Sequence, residues 1–154
     1  MTTEAATAGP EAAHPLDRGG VVAVSAAHFL HDTFSAFLAP LLPLLIEKLS
    51  LSLTIAGSLT LFTGLPSLFQ PYIGYLADRA NLRYFIILAP AITATLMTLT
   101  GIMPNYTALT LLFFAVGVTI AAFHAPAPAM IARISGRQVG KGMSIFMAGG
   151  ELAR

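Results

Sequence analysis

Cysteine is absent from the 154 residues, and charge is scarce: Asp, Glu, Lys and Arg together make up 10% of the chain. The first absence excludes disulfides, zinc–thiolate centres and iron–sulfur clusters, while leaving the redox compartment open. The second excludes an ordinary soluble domain, in which roughly a quarter of the residues are charged. A net charge of +1, with no basic stripe interleaved with aromatics, excludes a nucleic-acid partner. What remains is apolar. Hydrophobic residues make up 56% and the mean hydropathy is +0.78, the composition of a chain whose partner is the lipid bilayer. At about 20 residues per crossing, the length holds four to six membrane helices.

Residues 1–19 mix Ala, Thr, Glu, Pro and Gly without apolar periodicity and are expected to form a disordered tail, with His14 a solvated residue within it. A helix is expected over 20–47, bent by Pro40 and Pro43. A second follows over 53–77, capped by Ser50 or Ser52, bent by Pro66 and Pro71, and packed closely through Gly57 and Gly64. Residues 84–132 carry no Asp, Glu, Lys or Arg. As a single helix they would be about 73 Å long, more than twice the roughly 30 Å of a bilayer core. They therefore divide at the turn over 103–106 into spans at 83–103 and 106–132, and a fifth span over 138–154 is cut short. Arg79, Arg83, Arg133, Arg137 and Lys141 fall in the even-numbered connections, whereas the opposite loops hold only Lys48. By the positive-inside rule, this puts the N-terminus in the cytoplasm and the chain in the inner or plasma membrane as a multi-pass protein.

Against that apolar background the first helix is costly. Ser25, His28, Asp32 and Ser35 recur at spacings of three and four and share one face, with His31 alongside. A carboxylate at the centre of a span costs about 2.5–3.5 kcal/mol on insertion scales, so it is expected to face a bundle interior or a watery cavity. With a rise of about 1.5 Å per residue, Asp32, His124 and Glu151 lie at similar depths, about 13–18 Å in from the cytoplasmic ends of their helices. Glu151 and Arg154, three apart, are placed to pair with each other. The helix of His28 and His31 continues into Pro40 and Pro43, and that of His124 into Pro126 and Pro128. Polar residues in proline-interrupted spans at corresponding positions are the sequence pointer to a transport site near the midplane.

Blander readings stand beside this one. The three histidines could be packing residues bonded to hydroxyls or freed carbonyls, and the threonines at 60, 63, 93, 95, 98 and 100 are expected to bond back to their own helices. Phe34, Phe37, Phe113 and Phe114 are expected to meet lipid or neighbouring helices. His28 and Asp32 at i, i+4 offer two metal ligands without a closed set, so neither a metal nor a cofactor is expected.

The connection Gly74-Tyr75-Leu76-Ala77-Asp78-Arg79-Ala80-Asn81-Leu82-Arg83 resembles the signature between helices two and three of the major facilitator superfamily, G-x-L-A-D-R-x-G-R-[KR]. Asn81 stands where glycine is usual and Leu82 where the first basic residue is usual. Two further stretches, HFLHDTF with PLLPLL at 28–45 and AAFHAP at 121–126, look like the fosmidomycin-resistance branch of that superfamily. The helix-four arginine motif of many proton-coupled exporters is absent, and Gly117 and Val118 lie there in apolar surroundings.

The resemblance implies an all-α polytopic bundle, the first four helices and part of a fifth of a superfamily N-terminal half. The remainder of that half and the whole C-terminal half would be missing partners. It implies a secondary transporter, not an enzyme, that exports small drugs or metabolites; the common depth of Asp32, His124 and Glu151 adds the expectation that protons are the coupling ion. Asp32 and Glu151 would carry protons, His28, His31 and His124 would shape or relay, and Arg154 would pair with Glu151 or attract an anion. Gly74 would let helices pack tightly, and Asp78, Arg79 and Arg83 would latch the cytoplasmic ends. Two other classes remain open. One is an intramembrane metal-dependent enzyme using His28, His31, Asp32, His124 and Glu151, which lacks a spacing such as H-E-x-x-H. The other is a small oligomerising membrane protein.

Overall fold

The computed structural model describes residues 14–79 and 81–154, with the backbone alone at Leu82. Residues 1–13 of the expected tail lie outside that range. Every regular element among the described residues is helical.

Proline decides where the long helices break. α1 (Arg18–Ser35) stops just before α2 (Leu38–Leu49), and the break falls at Ala36, four residues before Pro40. A proline ring crowds the carbonyl four residues back and offers it no N–H. The same rule breaks α6 (Tyr106–His124) from α7 (Ala127–Ser135), since Pro128 lies four residues after His124. Between them, α3 (Leu53–Gly64) passes through a 3-10 turn at Leu65–Phe69, begun by Pro66, into α4 (Gln70–Arg79). α5 (Leu82–Leu99) absorbs Pro90 and closes on a 3-10 turn at Thr100–Ile102. A further 3-10 turn at Gly136–Gln138 leads into α8 (Val139–Glu151).

Caps set the remaining ends. The side chain of Asp17 accepts from Gly20 N at 2.9 Å and starts α1, Ser52 starts α3, and Asn105 accepts from Ala108 N at 2.9 Å to start α6. Ser50, at φ 51°, ends α2 instead of starting α3. Lys48 donates to the carbonyls of Gly101 and Met103 at 2.6 and 3.3 Å, so its charge caps the end of the neighbouring helix.

Among the described residues, three stretches are long and apolar enough to cross a membrane: Arg18–Leu49, Arg83–Ile102 and Tyr106–Glu151. The third is 46 residues long and folds back on itself. Gly136, at φ +53°, makes the reversal with the His14 carbonyl where a side chain would stand. α8 then packs against α7, Gly142 against Ser135 and Ile131. Leu53–Arg79 is helical throughout but jointed by its prolines.

α1 is the hub, packed against α5, α7 and α8, while α6 lies between α5 and α3. Two apolar layers result. One joins Val21, Ile86, Phe123, Ile131 and Phe146; the other joins Leu38, Leu45, Leu59, Met97, Leu109 and Phe113. On α1, α5 and α6 the residues between the layers are polar: His28 and Asp32, Thr93, and Thr119.

The close contacts are not those expected from glycine spacing. A side chain at Gly57, Gly64 or Gly74 would meet nothing within 4 Å among the described residues. Gly117 is pressed against the Thr63 carbonyl and Pro66, Gly149 against the Ser25 backbone, and Gly150 against the His28 ring. Spacing places glycines on a face, but only the docked partner decides which face is crowded.

Candidate functional site

Asp32 is the centre of the polar layer and is 2% exposed. Its Oδ1 accepts from His124 Nε2 at 3.1 Å, and its Oδ2 accepts from Arg154 Nη2 at 3.0 Å. His28 Nε2 lies 3.4 Å from the same Oδ2. Three helices supply this set: α1 brings His28 and Asp32 one turn apart, α6 ends at His124, and the chain just past α8 brings Arg154.

The local backbone explains the placement. α1 and α8 run side by side in the same direction, Gly149 beside Ser25 and Arg154 beside Asp32. With no side chains at Gly149 and Gly150, α8 comes close enough for His28 to stack on Phe146, ring centroids 4.1 Å apart and 16° from parallel. His28 Nδ1 then reaches the Phe146 carbonyl at 2.9 Å. A carbonyl only accepts, so Nδ1 carries the proton and a neutral His28 turns the lone pair of Nε2 towards Asp32. Two acceptors facing each other repel; a cation between them makes the contact attractive.

His31 is fully buried, stacked on Phe123 at 4.6 Å and edge-on to His124 at 5.5 Å. Neither of its ring nitrogens has a hydrogen-bond partner among the described residues. The cluster is sealed on the His28 and Asp32 side and open on the other, where the His124 side chain is 25% exposed and that of Arg154 60%.

Glu151 stands outside this cluster. Its side chain is exposed, and Arg154 turns to Asp32 instead of pairing with Glu151, because α8 ends at Glu151 and the last residues leave the helical spacing. Phe146, Gly149, Gly150 and Phe123, which seat the two histidines, were not singled out by sequence reasoning. An adjacent glycine pair one turn after an aromatic was the available signal. Of the six threonines, Thr60, Thr63, Thr95 and Thr98 bond to their own helices, whereas Thr93 bonds across to Thr119 at 2.6 Å. Phe113 is buried between helices, while Phe37 and Phe114 are exposed.

The 74–83 connection has a different character. Asp78 and Arg83 are exposed, and the Arg79 guanidinium sits 4.5 Å over the Tyr75 ring. Asn81 accepts from Arg83 N at 3.1 Å and caps α5, which gives the departure from glycine at this position a structural use. A groove of about 840 Å³ lies between α1, α5 and α7. It is lined mostly by apolar residues such as Val24, Ala27, Phe34 and Met130, with Asp17 and Arg83 also in its wall, and touches none of the Asp32 cluster.

Comparison with known proteins adds an independent line. The sequence profile described as Major Facilitator Superfamily matches residues 24–154. The fosmidomycin resistance protein of Escherichia coli (strain K12) is 31% identical over 131 residues, covering 84% of this chain and 32% of that protein. The uncharacterized MFS-type transporter YfnC of Bacillus subtilis (strain 168) is 24% identical over 134 residues, covering 85% and 32%. The chain thus spans about one third of the length of these curated relatives. No solved structure matches it.

Proposed function

Because this chain belongs to the major facilitator superfamily, we propose that it is the N-terminal part of a secondary active transporter that exports small drugs or metabolites by alternating access, coupled to protons. The observation that carries the proposal is a buried carboxylate, Asp32, set between two apolar layers and contacted by His28, His124 and Arg154 from three directions. An ionisable group inside a membrane span is expensive, and a site at the midplane between proline-broken helices is where transporters keep such groups.

The geometry supports a division of roles. Asp32 is the proton carrier, and His28 and His124 share its charge. Arg154 spends one N–H on Asp32, and its exposed guanidinium keeps further donors for an anionic group of the substrate. Protonation of Asp32 releases Arg154, and an anion bound to Arg154 weakens its hold on Asp32, so proton and substrate are linked through one side chain. Asp78, Arg79 and Arg83 act at the cytoplasmic ends of the helices, where the proposed N-terminus also lies. The coverage of one third of the curated relatives supports placing the remaining helices in a longer chain.

The test uses the full-length gene product in proteoliposomes. Asp32→Asn is expected to abolish substrate accumulation driven by a pH gradient while leaving substrate exchange measurable. Undiminished gradient-driven transport in Asp32→Asn would sink the coupling role.

A further inference from the structure

We infer that His28, Asp32 and His124 form a binding site for a divalent transition-metal cation of the zinc class. Sequence spacing offers two ligands, His28 and Asp32; the fold adds the third from α6. One donor atom from each of the three lies within 4.8 Å of the others.

Two of the three donor separations suit a single ion, and the third lies within 4.8 Å. Tetrahedral zinc holds its ligands at about 2.0–2.2 Å, which puts neighbouring donor atoms about 3.4 Å apart. His28 Nε2 and Asp32 Oδ2 are 3.4 Å apart, and His124 Nε2 and Asp32 Oδ1 are 3.1 Å apart. The carboxylate offers one oxygen to each imidazole; an ion between them takes one or both oxygens and displaces the Nε2 proton of His124, which moves to its Nδ1 through solvent on the exposed side.

His28 supplies a second, independent observation. The residue is 4% exposed, and its Nε2 has no hydrogen-bond partner among the described residues although it points at a carboxylate. Its other nitrogen is held by the Phe146 carbonyl at 2.9 Å. A histidine that binds a metal through one nitrogen characteristically donates from the other to a carbonyl or carboxylate, which sets the tautomer and aims the lone pair. Here that outer contact is already made.

Ligand type narrows the ion. Two imidazoles and a carboxylate suit zinc, nickel, cobalt or copper, whereas magnesium and calcium prefer all-oxygen surroundings. Three protein ligands leave a position open, on the side where His124 and Arg154 are exposed. The Arg154 side chain has room to swing away as the ion enters, so metal and guanidinium compete for Asp32. The inference does not rest on transport, because binding is read directly.

The experiment titrates purified full-length protein with Zn2+ by calorimetry, with Mg2+ as the control, and records the Co2+ visible spectrum and zinc-edge X-ray absorption of the wild type. One Zn2+ per protein, imidazole nitrogens in its shell and intense Co2+ bands of low coordination number are expected. His28→Gln and His124→Gln are each expected to weaken Zn2+ at least about tenfold, and His14→Gln leaves it unchanged. Zinc binding no tighter than magnesium, a shell without imidazole, or affinity untouched by both histidine variants would overturn the site. The wild-type spectra decide even if a variant fails to fold, and loss of transport activity with zinc binding intact would count only against the transporter reading.

Discussion

Asp32 and Asp78 are the same residue type on helices of the same chain, yet they occupy opposite circumstances. Asp32 is 2% exposed and touches two imidazoles and a guanidinium. Asp78 is exposed and makes no ion pair among the described residues. Asp78 belongs to a contiguous signature that can be recognised by eye, whereas two of the three partners of Asp32 lie 92 and 122 residues away in the sequence. The contrast separates two kinds of constraint. A local motif can be legible while little in the fold holds it, and a site can be tightly held with hardly any local pattern.

The comparison is broken most directly at the two carboxylates. Asp32→Ala leaves the buried His28 and the partly exposed His124 and Arg154 without their shared carboxylate, and thermal unfolding of the full-length protein in detergent should show a loss of about 3 kcal/mol. Asp78→Ala should stay within about 0.5 kcal/mol of wild type. Equal losses would mean that Asp78 is held by contacts outside the described residues.

A smaller difference is expected between glycines. Gly149→Ala places a methyl group against the Ser25 backbone, which cannot yield without moving α8 from α1, and should cost about 1–3 kcal/mol. Gly74→Ala meets open space inside a helix and should gain up to about 1 kcal/mol from helix propensity. A destabilised Gly74→Ala would reveal a helix docked on α4 in the full-length protein. A small loss is expected at Arg79, where Arg79→Gln removes the cation over the Tyr75 ring and should cost about 0.5–1 kcal/mol, an effect that vanishes when Tyr75→Leu is already present.

Much of the architecture was readable because it is local. Pro40 and Pro128 break their helices four residues upstream through their own rings, so the kinks beside Asp32 and His124 follow from sequence distance alone. Asn105 and Ser52 start helices with their own side chains. The stripe of Ser25, His28 and Asp32 follows from the helical repeat, and their joint burial agrees with it. The glycines were misjudged for the complementary reason. Gly57 and Gly64 share a face as their spacing requires, but no neighbour among the described residues comes within 4 Å of a side chain there, and Gly117 and Gly149 carry the close approaches instead.

The sequence by itself determined the solvent and the element type: with 10% charged residues and long apolar runs, the backbone must satisfy itself in helices within lipid. It also determined which residues would be costly to bury. Only the tertiary structure decided who compensates them. Arg154 reaches Asp32 and not the nearby Glu151, and His28 spends one nitrogen on Phe146 and turns the other to Asp32. Those choices depend on how α8 and α6 are rotated and set against α1, which is a property of packed surfaces and has no counterpart in the order of residues along any one helix.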